Sequence, residues 1–247
     1  MMLGQAVRCA GAALGMFMAL AACDRKTVDA AAQPYEIVTQ MRPESLEAYM
    51  QPHRRAYDVC ASVRAMQHLP PPPPLLALPA DFVMKRSTYL SSGTGYLIRH
   101  EEFNLVMDAA DCKTRVDSAM TEAIMREGKV YGQRRELDGH TEVDEPAPSG
   151  TDPSKLATDE ASFTEKRTVG GIGMRCLSAS LRGGITLDKC AASTDAGLLR
   201  DGAGDPIPLH AREVVPGPDK MVVLTEPVSV QIGKPVSPER IALSGAK

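Results

Sequence analysis

The sequence predicts a mainly β fold of the α+β kind, with antiparallel strands and one or two short helices, stapled by disulfides. Two observations carry this. From Asp81 onward, short runs alternate apolar and polar side chains and are parted by turns bearing glycine or proline, the period of strands with one covered face. Cysteines also stand in both halves of the chain, at positions 60, 112, 176 and 190, where they can tie such strands together.

The N-terminus differs in kind. Arg8 is its only charge before Asp24, and Cys9 to Ala22 is an uninterrupted apolar run. The run fits the core of an export signal and is short of the ~20 apolar residues of a membrane span. It ends in Leu20-Ala21-Ala22-Cys23, which resembles the lipobox of bacterial lipoproteins. That resemblance implies a signal peptide over 1–22, cleavage between Ala22 and Cys23, and lipid on Cys23. Small residues before the cut let the backbone enter a peptidase cleft, and the thiol forms a stable thioether. Several acyl chains are needed because each buried CH₂ contributes only about 0.8 kcal/mol. The implied location is the cell envelope, lipid-anchored and facing the periplasm. Asp24 resembles the enterobacterial signal for retention at the inner membrane, with the outer membrane as the alternative.

Residues 23–42 then read as the anchor and a tether, because large apolar side chains are sparse up to Ala32-Gln33-Pro34. An N-terminal part of the β-rich domain is expected over 43–135. Pro43 and the acids that follow start a short helix, which Pro52 should stop. Tyr57 to Met66 fits either an alternating strand, the favoured reading, or a helical stripe of Val59, Val63 and Met66. Pro70 to Pro74 should form a stiff extended segment. Strands follow at Phe82–Leu90, Tyr96–His100 and Phe103–Met107. Their apolar positions pass from even to odd, so a bulge or turn is expected at His100-Glu101-Glu102. Residues 115–127 fit a further strand or a helix.

Residues 136–165 hold nine acids and one base, and read as a linker or long solvated loop. The C-terminal β-rich part, 166–247, shows strands over Thr168–Ser180, Gly184–Ala192, Pro206–Val215 and Met221–Ile232. Glu226-Pro227 should mark an edge strand or a bulge in the last of them, whose Val222, Leu224, Val228, Val230 and Ile232 are expected on one face.

The full chain has six cysteines. Cys9 leaves with the signal; if Cys23 carries lipid, Cys60, Cys112, Cys176 and Cys190 remain and can all pair. Three pairings exist; the favoured one is Cys60–Cys112 with Cys176–Cys190, one bridge in each half. No C-x₂-C pair and no histidine at ligand spacing suggests a metal.

The chain has 28 basic and 31 acidic residues with no basic block, which argues against a nucleic-acid partner. The absence of tryptophan disfavours a sugar-stacking surface. No nucleophile elbow, phosphate loop or H-E-x-x-H motif is present, so no catalytic residue, cofactor or enzyme activity is expected.

The order of features in 166–247 resembles the lipoprotein-carrier half-barrel family. The resembling stretches are Thr168 to Cys176, Pro206 to His210 and Val236 to Ile241, the last placing a proline and an apolar plug after a strand. The resemblance implies a curved antiparallel sheet or half-barrel whose concave face holds an acyl chain or a partner's apolar segment. Those carriers are soluble and lack an anchor, so shuttling does not transfer. The expected partners are the membrane, through the lipid, and either a hydrophobic ligand or an envelope protein complex in which the chain is a structural component.

Overall fold

In a computed structural model, the described residues are 33–148, 153–217 and 220–244. The expected signal peptide over 1–22, the expected cleavage between Ala22 and Cys23 and the expected lipid site at Cys23 lie outside them. The elements are β1 (Tyr35–Pro43), α1 (Leu46–Met66), β2 (Lys85–Ser91), β3 (Tyr96–Met107), β4 (Thr114–Arg126), β5 (Lys129–Arg135), β6 (Thr141–Val143), β7 (Ala147–Pro148), α2 (Pro153–Ser162), β8 (Glu165–Val169), β9 (Ile172–Cys176), β10 (Thr186–Thr194), β11 (Gly197–Leu198), β12 (Pro208–Val214) and β13 (Val222–Ile232).

The strands join in one antiparallel path, β6-β5-β4-β3-β2-β1-β13-β12-β10-β9-β8, with β7 on β5 and β11 on β10. Pairing of β1 with β13 therefore welds the N-terminal strands to the C-terminal ones. The ends of the path do not meet, so the sheet is open. It is also strongly curled. Five strand steps separate β2 from β9, about 24 Å in a flat sheet at ~4.8 Å per step. Yet side chains of β3, β2, β1, β13, β12 and β10 line one cavity of about 240 Å³, the concave side of the curl, and the buried apolar residues of the same face, from Tyr35, Ile37 and Tyr89 to Leu209, Met174 and Cys176, form one core cluster. The expected class, a mainly β antiparallel sheet with one or two helices and disulfide staples, is what the chain forms, although α1, at 21 residues, is not short.

Several local expectations are corrected. The tether does not extend to 42, because Tyr35–Pro43 is an interior strand with Tyr35, Ile37 and Thr39 buried in alternation. Pro52 does not end its helix, and Tyr57–Met66 is helical rather than extended, since α1 runs unbroken from an N-cap at Ser45 to Met66. A proline inside a helix costs roughly 3 kcal/mol; here contacts from outside the helix hold the distal half. Cys60 is bridged to Cys112, the Tyr57 hydroxyl donates to the Pro73 carbonyl at 2.7 Å, and Arg64 donates to the carbonyls of Ala110 and Pro70. The extended proline segment thus lies as a strap along α1. Cys60 and Arg64 face inward, while Val59, Val63 and Met66 are exposed.

No bulge interrupts β3. Its register with β4 is continuous from Tyr96–Met125 to Met107–Thr114. The apolar positions change parity because the covered face changes. Tyr96 and Ile98 point to the curled inner face, whereas Phe103 and Leu105 pack on the opposite face against Tyr49 and Met50 of α1. In β13 the bulge is real and the edge position is not. Val38 pairs with Ser229 and Thr39 with Pro227, so Val228 is the extra residue of an interior strand. That residue reverses the parity, which puts Val223 and Thr225 on the same face as Val230 and Ile232 and leaves Val222 and Leu224 on the other. The acidic stretch is not a plain loop: β6 and β7 pair with β5, and α2 leads into buried Phe163, which packs on Ala191 and Leu198. Residues 115–127 take the strand alternative, as β4.

Candidate functional site

The inner face has two halves of opposite character. In β1, β2 and β3 the inner positions begin apolar, with Tyr35 and Ile37, Tyr89, and Ile98. One to two residue pairs further along they become Thr39, Ser87 and His100, which lie side by side in register. The next row reads Glu102, Lys85, Met41, Thr225, Ala211 and Lys189 across six consecutive strands of the path. Polar residues on the face that should be driest are a local exception to strand patterning, and their placement follows from register alone.

These rows floor a cleft of about 240 Å³. Lys85 and Lys189 are four strand steps apart, about 19 Å on a flat sheet at ~4.8 Å per step, yet the curl makes both line this one cavity. Thr39, Ser87 and Thr225 are 2%, 7% and 6% exposed. The Ser87 hydroxyl lies 2.9 Å from Nδ1 of His100, and the imidazole meets the Tyr89 ring edge-on. Burial, reinforced by the Lys85 charge, pushes the His100 pKa down to about 4, so the ring is neutral at neutral pH. Burial likewise raises Tyr89 to about 12. Lys85 pairs with Glu102 at 3.2 Å, and Lys189 reaches Glu213 only loosely, at 3.9 Å. A serine beside a neutral imidazole is half of a hydrolytic arrangement, but no carboxylate bonds to the other ring nitrogen among the described residues.

The rest of the inner face is filled by the protein itself. Met174, Leu199, Ile207 and Leu209 occupy the space above Tyr35, Ile37 and Tyr89. A larger trough, about 570 Å³, opens between the turns at Ser92–Gly95 and Arg126–Glu127 and the tail at Pro238–Ile241, but no buried polar side chain faces it. On the outer face, Val236 and Ile241 do plug the sheet, packing on Leu90, Leu97 and Ile124.

The four cysteines form the favoured pairs, Cys60–Cys112 and Cys176–Cys190. The second joins directly opposed residues of β9 and β10. Among the described residues, no cluster of His, Cys, Asp and Glu is arranged to hold a metal ion, and no helix is long and apolar enough to cross a membrane. None of the cleft residues was singled out from the sequence. The available signal was the row of polar residues at inner-face parity, which is readable only once strand pairing is known. No protein-family model matches the chain, and no curated protein matches it either.

Proposed function

We propose that the chain is a cell-envelope lipoprotein, exported by residues 1–22, anchored through lipid on Cys23 and facing the periplasm, where it serves as a structural or assembly component. The observation that carries this reading over the lipid-carrier alternative is the state of the inner face. A carrier of acyl chains needs a continuous open lining of large apolar side chains. Here Met174, Leu199, Ile207 and Leu209 fill that space, and what stays open is lined by hydroxyls, lysines and an imidazole. The paired cysteines fit an oxidising compartment, and Asp24 favours the inner membrane as the address.

Two measurements test it. The wild-type chain expressed with labelled palmitate is expected to carry the label and to partition with membranes, while Cys23→Ser carries none; labelling that survives the substitution would sink the anchor. The same chain expressed behind an ordinary cleavable signal and starting at Asp24 is expected to show no bound lipid in native mass spectrometry. A stoichiometric acyl-chain adduct would restore the carrier reading.

A further inference from the structure

An assembly role leaves the polar cleft unexplained. Placing hydroxyls and an imidazole on the inner face of a sheet costs free energy unless hydrogen bonds compensate. Ser87 and His100 compensate each other. Thr39 and Thr225 do not: among the described residues neither hydroxyl has a protein partner, although both residues are almost fully buried. Neither oxygen is sealed off in the protein, so each reaches the cleft, whose wall they form.

The ammonium donors point to the ligand. The lining holds Lys85, Lys189 and Glu213 beside a neutral imidazole, and Glu102 pairs with Lys85 at 3.2 Å, so two ammonium groups stand against two carboxylates. The Lys189–Glu213 pair, at 3.9 Å, is too long for a direct hydrogen bond, leaving the ammonium donors available. No arginine is among the lining residues, so the planar fork that grips phosphate bidentately is missing. The size sets a limit as well. A cavity of ~150 Å³ holds benzene; at about 240 Å³ this one admits a compact molecule and not an acyl chain.

We propose that the cleft binds a small hydroxylated carboxylate, with its carboxylate on the ammonium group of Lys189 and its hydroxyls on Thr39, Thr225 and the Ser87–His100 pair. The site stands whether or not the chain is lipidated.

The test uses the full chain in detergent and three probes of similar size: glycerate, which has the charge and the hydroxyls; propionate, which has the charge alone; and glycerol, which has the hydroxyls alone. In calorimetric titration glycerate is expected to bind with a Kd of about 1 mM or tighter, and propionate and glycerol about tenfold more weakly. Lys189→Gln and Thr225→Val should each weaken glycerate about tenfold, while Lys129→Gln, at the exposed start of β5, changes nothing. Backbone NMR of the wild-type chain, which needs no variant to fold, should show shifts from glycerate concentrated at Thr39, Ser87, His100, Lys189 and Thr225. The proposal is overturned by no heat and no shifts at about 20 mM glycerate, by equal binding of glycerol or propionate, or by variants of unaltered affinity that remain folded.

Discussion

The backbone N–H and the hydroxyl of Ser244 both donate to the carboxylate of Glu122, at 2.7 and 2.8 Å, so the chain's last described residue caps a charge buried in the middle of β4. Arg99 and the Gln133 amide complete the cage, and Gln133 also donates to the Ser244 carbonyl at 2.9 Å. Burial alone would raise the Glu122 pKa. The two Ser244 bonds and Arg99 outweigh it and hold the carboxyl below the usual carboxylate range. The tail with plugs Val236 and Ile241 is thereby locked to the outer face.

Glu122→Ala is expected to destabilise the fold by about 3 kcal/mol, because it strands Arg99 and Gln133 without their acceptor. The pH dependence follows from the direction of the shift. A carboxyl whose folded pKa lies below its unfolded value of about 4.3 stabilises the fold above that pH and stops doing so as pH falls through the folded value. Glu122→Gln should therefore lose stability at pH 7 and show a flatter profile between about pH 5 and 3. Urea denaturation at several pH values measures both.

His100 adds to the same loss of stability in acid, as a base rather than an acid. Its folded pKa of about 4 lies below the unfolded value of about 6.5, so between these values the unfolded state binds the extra proton and stability falls as the solution is acidified. The slope contributed is at most about 1.4 kcal/mol per pH unit in that window. His100→Gln should remove it. In NMR the wild-type ring signals should stay unmoved from pH 8 to about 5.5; a titration centred near 6.5 would contradict the buried, neutral imidazole.

The two disulfides should differ in what they hold. Cys60–Cys112 spans 52 residues, and its loss costs roughly 4 kcal/mol in the chain-entropy model. Cys176–Cys190 spans 14 and contributes roughly 3 kcal/mol. Because the first bridge fixes the half of α1 beyond Pro52, Cys60→Ser with Cys112→Ser should also expose residues 57–74 to protease before the sheet unfolds. Removing the second bridge should leave that segment protected. Limited proteolysis followed by mass spectrometry separates the two.

Gly202 lies flat on the ring of Tyr96, where a Cβ would come within 1.5 Å of Cζ. Gly202→Ala must push the ring or the loop aside, at about 3 kcal/mol. Combining it with Tyr96→Leu, which clears the space, should give less than the sum of the two single effects. Thermal unfolding of the single and double variants is the measurement.

Much of the fold was legible because it depends on short-range pattern. Alternation located β2 and the C-terminal strands, and the proline run read as extended. The failures share a cause: each residue's local preference was overruled by something distant in sequence. Pro52 should end a helix, but a disulfide, a strap and Arg64 extend it. Thr39 to Arg42 look like a tether until β13 and β2 pair on either side of them. His100 to Glu102 look like a bulge only if one face of β3 is assumed to be covered throughout.

The sequence by itself determined the class of fold, the set of cysteines left to pair and the expectation of an anchored N-terminus, because alternation, thiol count and a contiguous apolar run are local quantities. Only the tertiary structure decided that Thr39, Ser87, His100, Thr225 and the two lysines share a cleft. They come from five strands, and no spacing along the chain encodes their meeting. Register sets them in rows on one face, and the curl of the sheet brings Lys85 and Lys189, four strands apart, around one cavity.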